Sequence, residues 1–265
     1  MPLNLVLVRH GESWLNWLFK AYSKGDPVPE ELCGTPGWKL RLTDEGREQA
    51  QSVEPLLASL GIEFEMGYCS PFIRTIETAL NILPQAPVGF WRIFAQIRER
   101  DWGEWECAPT LEQFMSRAEE LARAKSSERM FWSPPEGESG HAAMLRCRDM
   151  IGTIARSSAE NVIMSCHGEL IEFTIRMFND WGTLHDWDDH ERMWGYLLNP
   201  LNCQVIHLTR IDPYSGETAD HLKWAKSYVP WDTSHSNNRD WKLMERNHYS
   251  AADLRSIVEM YPANY

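Results

Sequence analysis

Histidine, arginine and carboxylate side chains concentrate in four short segments of this sequence. The segments are Arg9-His10-Gly11-Glu12, Ser70 to Arg74, Arg98-Glu99-Arg100-Asp101 and His167-Gly168-Glu169. A neutral imidazole can attack phosphorus and hold it covalently, which splits hydrolysis into two easier steps. Guanidinium groups present fork-shaped donors to phosphoryl oxygens, and a carboxylic acid can protonate a leaving alcohol. If the fold brings the segments together, they form a set suited to phosphoryl transfer.

The elements that must position these segments alternate along the chain. Residue types typical of strands occur at 3–8, 64–69, 88–94, 161–166 and 203–209. Helical patterns occupy 44–60, 71–83, 110–125, 139–157 and 169–179. This alternation predicts an α/β fold, a three-layer sandwich whose mostly parallel central sheet is flanked by helices. Each charged segment follows a predicted strand, so we expect all four at the carboxyl edge of the sheet, where such folds bind ligands.

The chain of 265 residues is long enough to bury a sizeable core. We predict one domain over residues 1–211 and a polar C-terminal extension over 212–265 that packs on the same domain. The extension carries one helical stretch near 250–260. Glycines and prolines at 20–38 indicate an irregular loop, and Thr43 can cap the helix that follows it. Residues 110–140 are interpreted as a lid or inserted region.

Composition narrows the class of protein. The net charge of −12 argues against general nucleic-acid binding, although an arginine cluster can still attract a small anion into a cleft. The six cysteines form no CxxC pair and are interpreted as reduced thiols. The N-terminal segment lacks the features of a signal peptide, and no apolar run is long enough to span a membrane. We therefore expect a cytoplasmic protein without a membrane partner.

Tryptophan is abundant, with 13 residues spread from Trp14 to Trp241. Most of these rings are expected to pack in the core. The alternative is that some of them line a substrate pocket, because aromatic rings supply large, rigid apolar walls.

Five ordered segments resemble the histidine phosphatase superfamily, which includes cofactor-dependent phosphoglycerate mutases. The first is Leu7-Val8-Arg9-His10-Gly11-Glu12-Ser13, with Asn16 three places further on. The others are Leu42 to Ala50, Ser70 to Ala79, Ile97 to Glu106 and Ser165-Cys166-His167-Gly168. The resemblance covers about residues 3–209. An Arg-His-Gly triplet alone is weak, but five segments in the same order leave little room for coincidence.

The resemblance implies a role for each matched residue. His10 is implied as the phosphorylated nucleophile, and Glu99 as the group that donates and accepts protons. Arg9, Arg74 and His167 are implied to hold the phosphoryl oxygens, with His167 cationic among them. Asn16 and Gly168 are implied to contact the substrate phosphate.

Some positions leave alternatives open. Asp101, Glu104 and Glu106 compete with Glu99 for the acid–base role, and Asn16 could instead cap a helix. Relatives often carry an arginine shortly after the Asn16 position, for which Lys20 and Lys24 are the candidates here. Glu169 follows His167-Gly168 where relatives usually have a small or neutral residue. That carboxylate either raises the pKa of His167 or repels a second substrate phosphate.

Two other features suggest different chemistry. The segment His185-Asp186-Trp187-Asp188-Asp189-His190 has a metal-like composition, but its histidine spacing fits neither i,i+3 nor i,i+4 on a helix face. An acidic loop is the favoured interpretation. Cys166 could act as a thiol nucleophile, but a packed cysteine at a strand end is favoured. The predicted chemistry requires no metal and no cofactor.

The segment Pro134-Pro135-Glu136-Gly137-Glu138-Ser139 resembles that of the family's phosphatases, as does Gly103-Glu104-Trp105-Glu106. The glycine-rich continuation that mutases carry after the Glu99 position is missing. We therefore predict a hydrolase for a small phosphorylated metabolite, with a phosphoglycerate mutase-like phosphotransferase and a non-catalytic phosphate-binding protein as alternatives. The acidic charge and the tryptophans favour a monophosphate that bears an apolar or aromatic group. A homo-oligomer is left open.

Overall fold

The computed structural model describes residues 1–82, 88–127, 129–178, 200–232, 234, 240–244 and 248–260, with side chains for all of these except 123–127 and 129. Within these residues seven strands form one sheet. They are β1 (Asn4–Arg9), β2 (Phe64–Cys69), β3 (Val88–Ile93), β4 (Asn161–Cys166), β5 (Val205–Thr209), β6 (Trp224–Tyr228) and β7 (Lys242–Leu243). The helices of the same residues are α1 (Trp14–Lys24), α2 (Asp44–Ser59), α3 (Ile73–Ile82), α4 (Leu111–Ser127), α5 (Gly140–Ala155), α6 (Gly168–Phe178) and α7 (Ala251–Glu259).

The strand order across the sheet is β3-β2-β4-β1-β5-β6-β7. Strands β1 to β4 run parallel to their neighbours in that group. Strands β5, β6 and β7 are each antiparallel to the preceding strand in the order. The predicted α/β class is confirmed, and the sheet is a mixed one that is parallel over its first four strands.

Helices cover both faces of the sheet because the side chains of β1 alternate between them. Leu5 and Leu7 belong to one buried cluster with residues of α5 and α6. Val6 and Val8 belong to a second cluster with residues of α2. These two clusters form the two interfaces of the predicted three-layer sandwich.

Most predicted elements lie within a few residues of their observed bounds, and two strands, β2 and β4, match them. Helix α1 is not among the predicted elements, and its last residues overlap the loop expected at 20–38. Ser13 caps this helix, and Gly25 ends it in the left-handed conformation with a φ of 74°. Strands β6 and β7 were also not predicted, because they are short and lie in a polar stretch. The helix expected near 250–260 is present as α7.

No helix in the described part of the chain is both long enough and apolar enough to cross a membrane.

Gly46 allows α2 to approach the loop that follows β1. A Cβ atom at Gly46 would overlap the carbonyl oxygen of Glu12. We predict that Gly46→Ala lowers the free energy of unfolding by roughly 1–3 kcal/mol through overpacking, although alanine favours helix more than glycine does. Urea denaturation measures this change.

Gly152→Ala in α5 is the matched control. Its added Cβ would meet the flexible end of Arg156 at 3.3 Å, so helix propensity should dominate and leave stability unchanged or raise it by about 0.5–1 kcal/mol. Equal stability of the Gly46→Ala variant and the wild type would contradict the proposed close approach.

Candidate active site

Three parallel strands end side by side and bring distant segments to one edge of the sheet. Arg9 at the end of β1 is paired with Cys166 in β4. Ser165 in β4 is paired with Cys69 at the end of β2. The next residue of each strand is therefore His10, Ser70 or His167, and these three meet at the expected carboxyl edge.

His10 is buried and has a defined proton arrangement. Its Nδ1 lies 2.7 Å from the carbonyl oxygen of Gly11. Because a carbonyl oxygen only accepts, Nδ1 carries the proton. Its Nε2 accepts a hydrogen bond from Arg74 Nε at 3.1 Å. Burial, followed by the charges of Arg74 and Arg9, holds the pKa of His10 well below its ordinary value. His10 is thus a neutral imidazole with its lone pair on Nε2.

Arg9 and Arg74 place two positive charges in the interior beside His10. Arg74 is 3% exposed and donates to the carbonyl oxygen of Gly37 at 2.8 Å. Arg9 donates through Nη1 to the carbonyl oxygen of Pro200, and its buried Nε has no hydrogen-bond partner among the described residues. Burial lowers the pKa of both groups, that of Arg74 to about 10, so both stay charged at neutral pH. Donors of this kind favour an anion.

His167 and Glu99 lie against the same guanidinium. Arg74 Nη2 is 3.3 Å from His167 Nδ1, and Glu99 Oε2 is 3.4 Å from that nitrogen. The Nε2 atom of His167 is 2.8 Å from the hydroxyl of Ser70. Burial raises the pKa of Glu99, which favours its protonated form.

His167 is neutral when only protein groups surround it. Burial, then the charges of Arg74 and Arg9, place its pKa well below the ordinary value. The cationic His167 implied by the family resemblance therefore requires phosphoryl oxygens nearby. Glu169 is not among the main causes of this shift, and its Oε1 lies 3.6 Å from Arg100 Nη1.

Helices α2 and α3 hold the loop that carries His10. Thr78 in α3 accepts a hydrogen bond from the backbone NH of Gly11 at 3.0 Å. Gln49 in α2 accepts one from the backbone NH of Glu12 at 2.9 Å, and the hydroxyl of Thr43 donates to the Glu12 carboxylate at 3.0 Å. The family resemblance of residues 42–50 thus has a structural explanation, since this segment supports the loop that carries His10.

Asn16 and Gly168 both line the cavity that contains His10. The side-chain oxygen of Asn16 accepts from the backbone NH of Ser13 at 3.1 Å, so Asn16 also completes the cap of α1. Gly168 begins α6 beside Arg9, where an added Cβ would lie 3.3 Å from Arg9 Nε. Asn16 can therefore cap α1 and still lie where it could contact a substrate phosphate.

Three residues just before β5 contribute to the site and were not predicted. Asn202 donates to the carbonyl oxygen of His10 at 3.0 Å, and the backbone NH of Cys203 donates to that of Arg9 at 3.1 Å. Pro200 supplies the acceptor for Arg9. This segment lies beside His10 only because β5 pairs with β1. The sequence of the segment alone does not indicate that it belongs to the site.

The loop that carries Glu99 is anchored by Arg146 of α5. Arg146 donates to both carboxylate oxygens of Glu138, at 2.8 and 2.7 Å. It also donates to the carbonyl oxygens of Gln96 at 2.5 Å and Arg98 at 3.2 Å. The segment 134–139 thus fixes the backbone from which Glu99 reaches the histidines.

Among the competing carboxylates, Glu106 also lines the cavity. Burial, then the charges of Asp101 and Glu99, raise its pKa to about 7. Asp101 accepts from the backbone NH of Gly103 at 3.0 Å, and Glu104 is exposed outside the cavity lining. Glu99 alone of the four has an oxygen within 4 Å of a site histidine.

The cavity has a volume of about 470 Å³ and largely apolar walls beyond the histidines. Its aromatic lining consists of Phe19, Phe72, Trp102, Trp105 and Phe114. Two tryptophans therefore line it, as the pocket alternative anticipated. Lys20 pairs with Glu12 at 3.4 Å, and neither Lys20 nor Lys24 is among the cavity-lining residues. Neither lysine replaces the arginine of the family pattern in this conformation.

Ligand atoms of His10, Glu99 and His167 lie within 4.8 Å of one another, close enough to surround a metal ion. Arg74 is hydrogen-bonded to His10 and lies against His167, and its charge disfavours a cation at that point. Cys166 is 1% exposed, and burial raises its pKa well above the ordinary value, which suits a packed thiol. The segment 185–190 lies outside the described residues.

The family comparison agrees with this geometry. A model of the "Histidine phosphatase superfamily (branch 1)" matches residues 5–193. The chain belongs to the histidine phosphatase superfamily.

The individual relatives described next share 20% to 28% sequence identity with this chain. The 6-phosphofructo-2-kinase/fructose-2,6-bisphosphatase of Gallus gallus is 28% identical over 179 residues, which cover 68% of this chain and 33% of that protein. The solved structure of a putative alpha-ribazole-5'-P phosphatase from Escherichia coli matches with a TM-score of 0.60 at 21% identity. The match covers 80% of this chain and 92% of the phosphatase chain.

A mycobacterial glucosyl-3-phosphoglycerate phosphatase solved with VO3 matches with a TM-score of 0.58 at 20% identity. The match covers 77% of this chain and 92% of the mycobacterial chain. At these identities the two solved structures establish a shared fold. The first curated relatives are matched over only 33% to 65% of their length.

Inorganic phosphate is expected to raise the midpoint of thermal unfolding, because the guanidinium groups of Arg9 and Arg74 gain an anion. At about 100 times the dissociation constant the gain corresponds to roughly 2.7 kcal/mol. Arg74→Met should lose most of the increase, which thermal shift measurements detect. Arg92→Met removes an exposed arginine on β3 and should keep it. Equal stabilisation of both variants would contradict the assignment of the anion site.

Proposed function

We propose that this protein is a phosphomonoester hydrolase that acts through a phosphohistidine at His10. The observation that carries the proposal is the neutral His10, whose Nε2 lone pair faces the buried guanidinium of Arg74, with the partly buried Arg9 adding a second positive charge. A lone pair held there can attack a phosphorus atom whose oxygens bind Arg9 and Arg74. A largely buried carboxyl group, Glu99, lies 3.4 Å from Nδ1 of the second histidine.

In the first step, His10 Nε2 attacks phosphorus while the bond from phosphorus to the ester oxygen breaks. Glu99, held in its acid form by burial, gives its proton to the leaving oxygen. Arg9 and Arg74 stabilise the charge on the transferred group. The products are the alcohol, N-phosphohistidine and an ionised Glu99.

In the second step, the Glu99 carboxylate takes a proton from water, and the water oxygen attacks phosphorus. The bond from phosphorus to Nε2 breaks, and inorganic phosphate leaves. His10 and the acid form of Glu99 are regenerated. His167 can take up a proton while phosphoryl oxygens are bound, because they oppose the positive charges that lower its pKa.

The segments around Glu99 favour a hydrolase over a mutase, which would move phosphate between two positions of its substrate. Residues 134–139 and Gly103 to Glu106 resemble segments of the family's phosphatases. The first segment supports the loop of Glu99, and the second contributes to one wall of the cavity. A purely phosphate-binding role is disfavoured because it needs neither a neutral His10 nor an acid beside it. The aromatic walls support a small phosphorylated metabolite with an apolar part as substrate.

We also propose a reducing, cytoplasmic setting. All six cysteines are free thiols, and four of them are buried.

His10→Ala removes the attacking lone pair. We predict that kcat/KM for 4-nitrophenyl phosphate falls by at least about a thousandfold and that no phosphohistidine can be trapped. Steady-state kinetics and acid-labile radiolabel after rapid quenching measure the two effects. His141→Ala, which changes a histidine outside the cavity lining, should retain activity. Undiminished hydrolysis by His10→Ala would refute the proposed nucleophile.

Glu99→Gln removes the acid and the later base. For an alkyl phosphate we predict a loss of kcat of roughly 10²–10⁴-fold, since the alcohol leaves unprotonated. With 4-nitrophenyl phosphate, whose anion leaves readily, we expect a burst of product and an accumulated phosphohistidine. Rapid-quench kinetics measure the burst.

Because the pKa of Glu99 is raised, Glu99 should stay protonated to a higher pH than an ordinary glutamate. The activity of the wild type on alkyl phosphates should therefore fall as pH rises through the pKa of Glu99. Glu104→Gln, which neutralises an exposed neighbour, is the control and should behave as the wild type. The account is wrong if Glu104→Gln, rather than Glu99→Gln, shows the burst.

A further inference from the structure

The cavity around His10 contains carboxyl groups that the hydrolytic mechanism does not use. Besides Glu99, the lining includes Glu106, Glu169 and Glu172. Glu172 is paired with Arg176, whose Nη2 lies 2.8 Å from Oε1. Within the described residues, Glu106 forms no salt bridge, and Glu169 makes only the looser contact with Arg100.

Glu169 has an unused oxygen. Its Oε1 lies 3.6 Å from Arg100 Nη1, whereas its Oε2 is buried without a hydrogen-bond partner among the described residues. Arg100 is held independently, because it donates to the carbonyl oxygens of Glu138 and Trp132, each at 2.7 Å. A buried carboxyl oxygen without a partner is costly unless a ligand supplies one.

The cations of the lining are already engaged. Arg9 and Arg74 face the phosphoryl position beside His10. Arg117 donates to the carbonyl oxygens of Trp105 and Cys107, each at 3.2 Å, and its guanidinium lies 5.6 Å from the centre of the Trp105 ring. Within the described lining, a second substrate anion therefore finds carboxyl groups rather than a free cation.

Aromatic rings surround the remaining space. Trp102 and Trp105 stack with ring centres 6.3 Å apart, and Phe19 stacks on Phe114 at 5.5 Å. Rings beside a carboxylate suit an organic group that is apolar and carries a positive charge. Glu169 follows Gly168 directly and lines the same cavity as His10 and Arg9.

We propose that the cavity selects phosphomonoesters whose apolar or aromatic part carries an amino group, with Glu169 as the partner of that cation. The same carboxylate disfavours substrates with a second phosphate or a carboxylate. This inference rests on the proposed hydrolase function and names its substrate class.

The charges around Glu169 make the selection dependent on pH. Glu99 and Arg100 face it from the loop after β3, and Glu172 faces it from its own helix. Burial raises the pKa of Glu169 to about 8; Glu99 adds to this when it is ionised, and Arg100 opposes it. Below that pH the side chain is mostly uncharged, and above it the carboxylate attracts an ammonium group. The preference for an amino substrate should therefore increase as pH rises through about 8.

A matched series of aryl phosphates tests the inference. The series is 4-(aminomethyl)phenyl, 4-(hydroxymethyl)phenyl and 4-carboxyphenyl phosphate, which differ mainly in the charge of one substituent. In the wild type near pH 8 we expect kcat/KM to be about tenfold or more higher for the amino than for the carboxy substrate. In Glu169→Gln this ratio should shrink by about tenfold, and in Glu169→Asp it should be largely retained.

Glu119→Gln is the control for the change in net charge, since Glu119 is exposed on α4 and outside the cavity lining. Its ratio should equal that of the wild type. The wild-type ratio, followed from about pH 6 to about pH 9, gives a readout that needs no variant to fold.

The inference is overturned if the ratio is the same in Glu169→Gln and wild type, or if the carboxy substrate is preferred. A flat wild-type ratio across the pH range also overturns it. If the hydroxymethyl substrate is hydrolysed in any of these cases, the hydrolase proposal survives alone. If no member of the series is hydrolysed, both proposals fail.

Discussion

The geometry of the site depends on the buried guanidinium of Arg74 and the partly buried guanidinium of Arg9 beside an uncharged histidine. Arg9 and Arg74 lose hydration in the interior, and the described residues give Arg9 Nε no acceptor in return. Their charges keep the proton off His10 Nε2, and Arg74 donates to that atom. One electrostatic constraint therefore supports both the proposed anion site and the proposed role of His10 as a nucleophile at neutral pH. The same charges keep His167 neutral until phosphoryl oxygens offset them.

The fold sustains this constraint by locking the backbone around it. β1, β2 and β4 end in register, so Arg9, His10, Ser70 and His167 occupy one edge without any long loop. Helices α2 and α3 then saturate the backbone NH groups of Gly11 and Glu12. Glu99 lies on the loop after β3. Arg146 holds the backbone of this loop and is itself paired with Glu138. The chemistry thus relies on short hydrogen bonds from four separate segments of the chain.

Sequence reasoning identified the parts of this arrangement that follow from hydrophobic pattern and strand-end rules. Short apolar runs that stop at Arg9, Ser70 and His167 predicted both the strands and their common edge. Helix α1 was missed because its aromatic, lysine-containing sequence adjoins strong loop signals at 25–38. Asn202 and Pro200 were missed because only the antiparallel pairing of β5 with β1 brings them to His10. The protonation of His10 also depends on burial and neighbouring charges, which no linear spacing reports.

The central claim is the neutral state of His10 with its proton on Nδ1. Nitrogen–proton NMR correlation of ¹⁵N-labelled protein, with His10 assigned by the His10→Ala variant, measures this state directly. The account predicts a protonated Nδ1, a lone-pair Nε2 shift, and no titration of His10 near its ordinary pKa. An imidazolium at neutral pH, or a proton on Nε2, would contradict it, because neither form has a lone pair positioned to attack phosphorus.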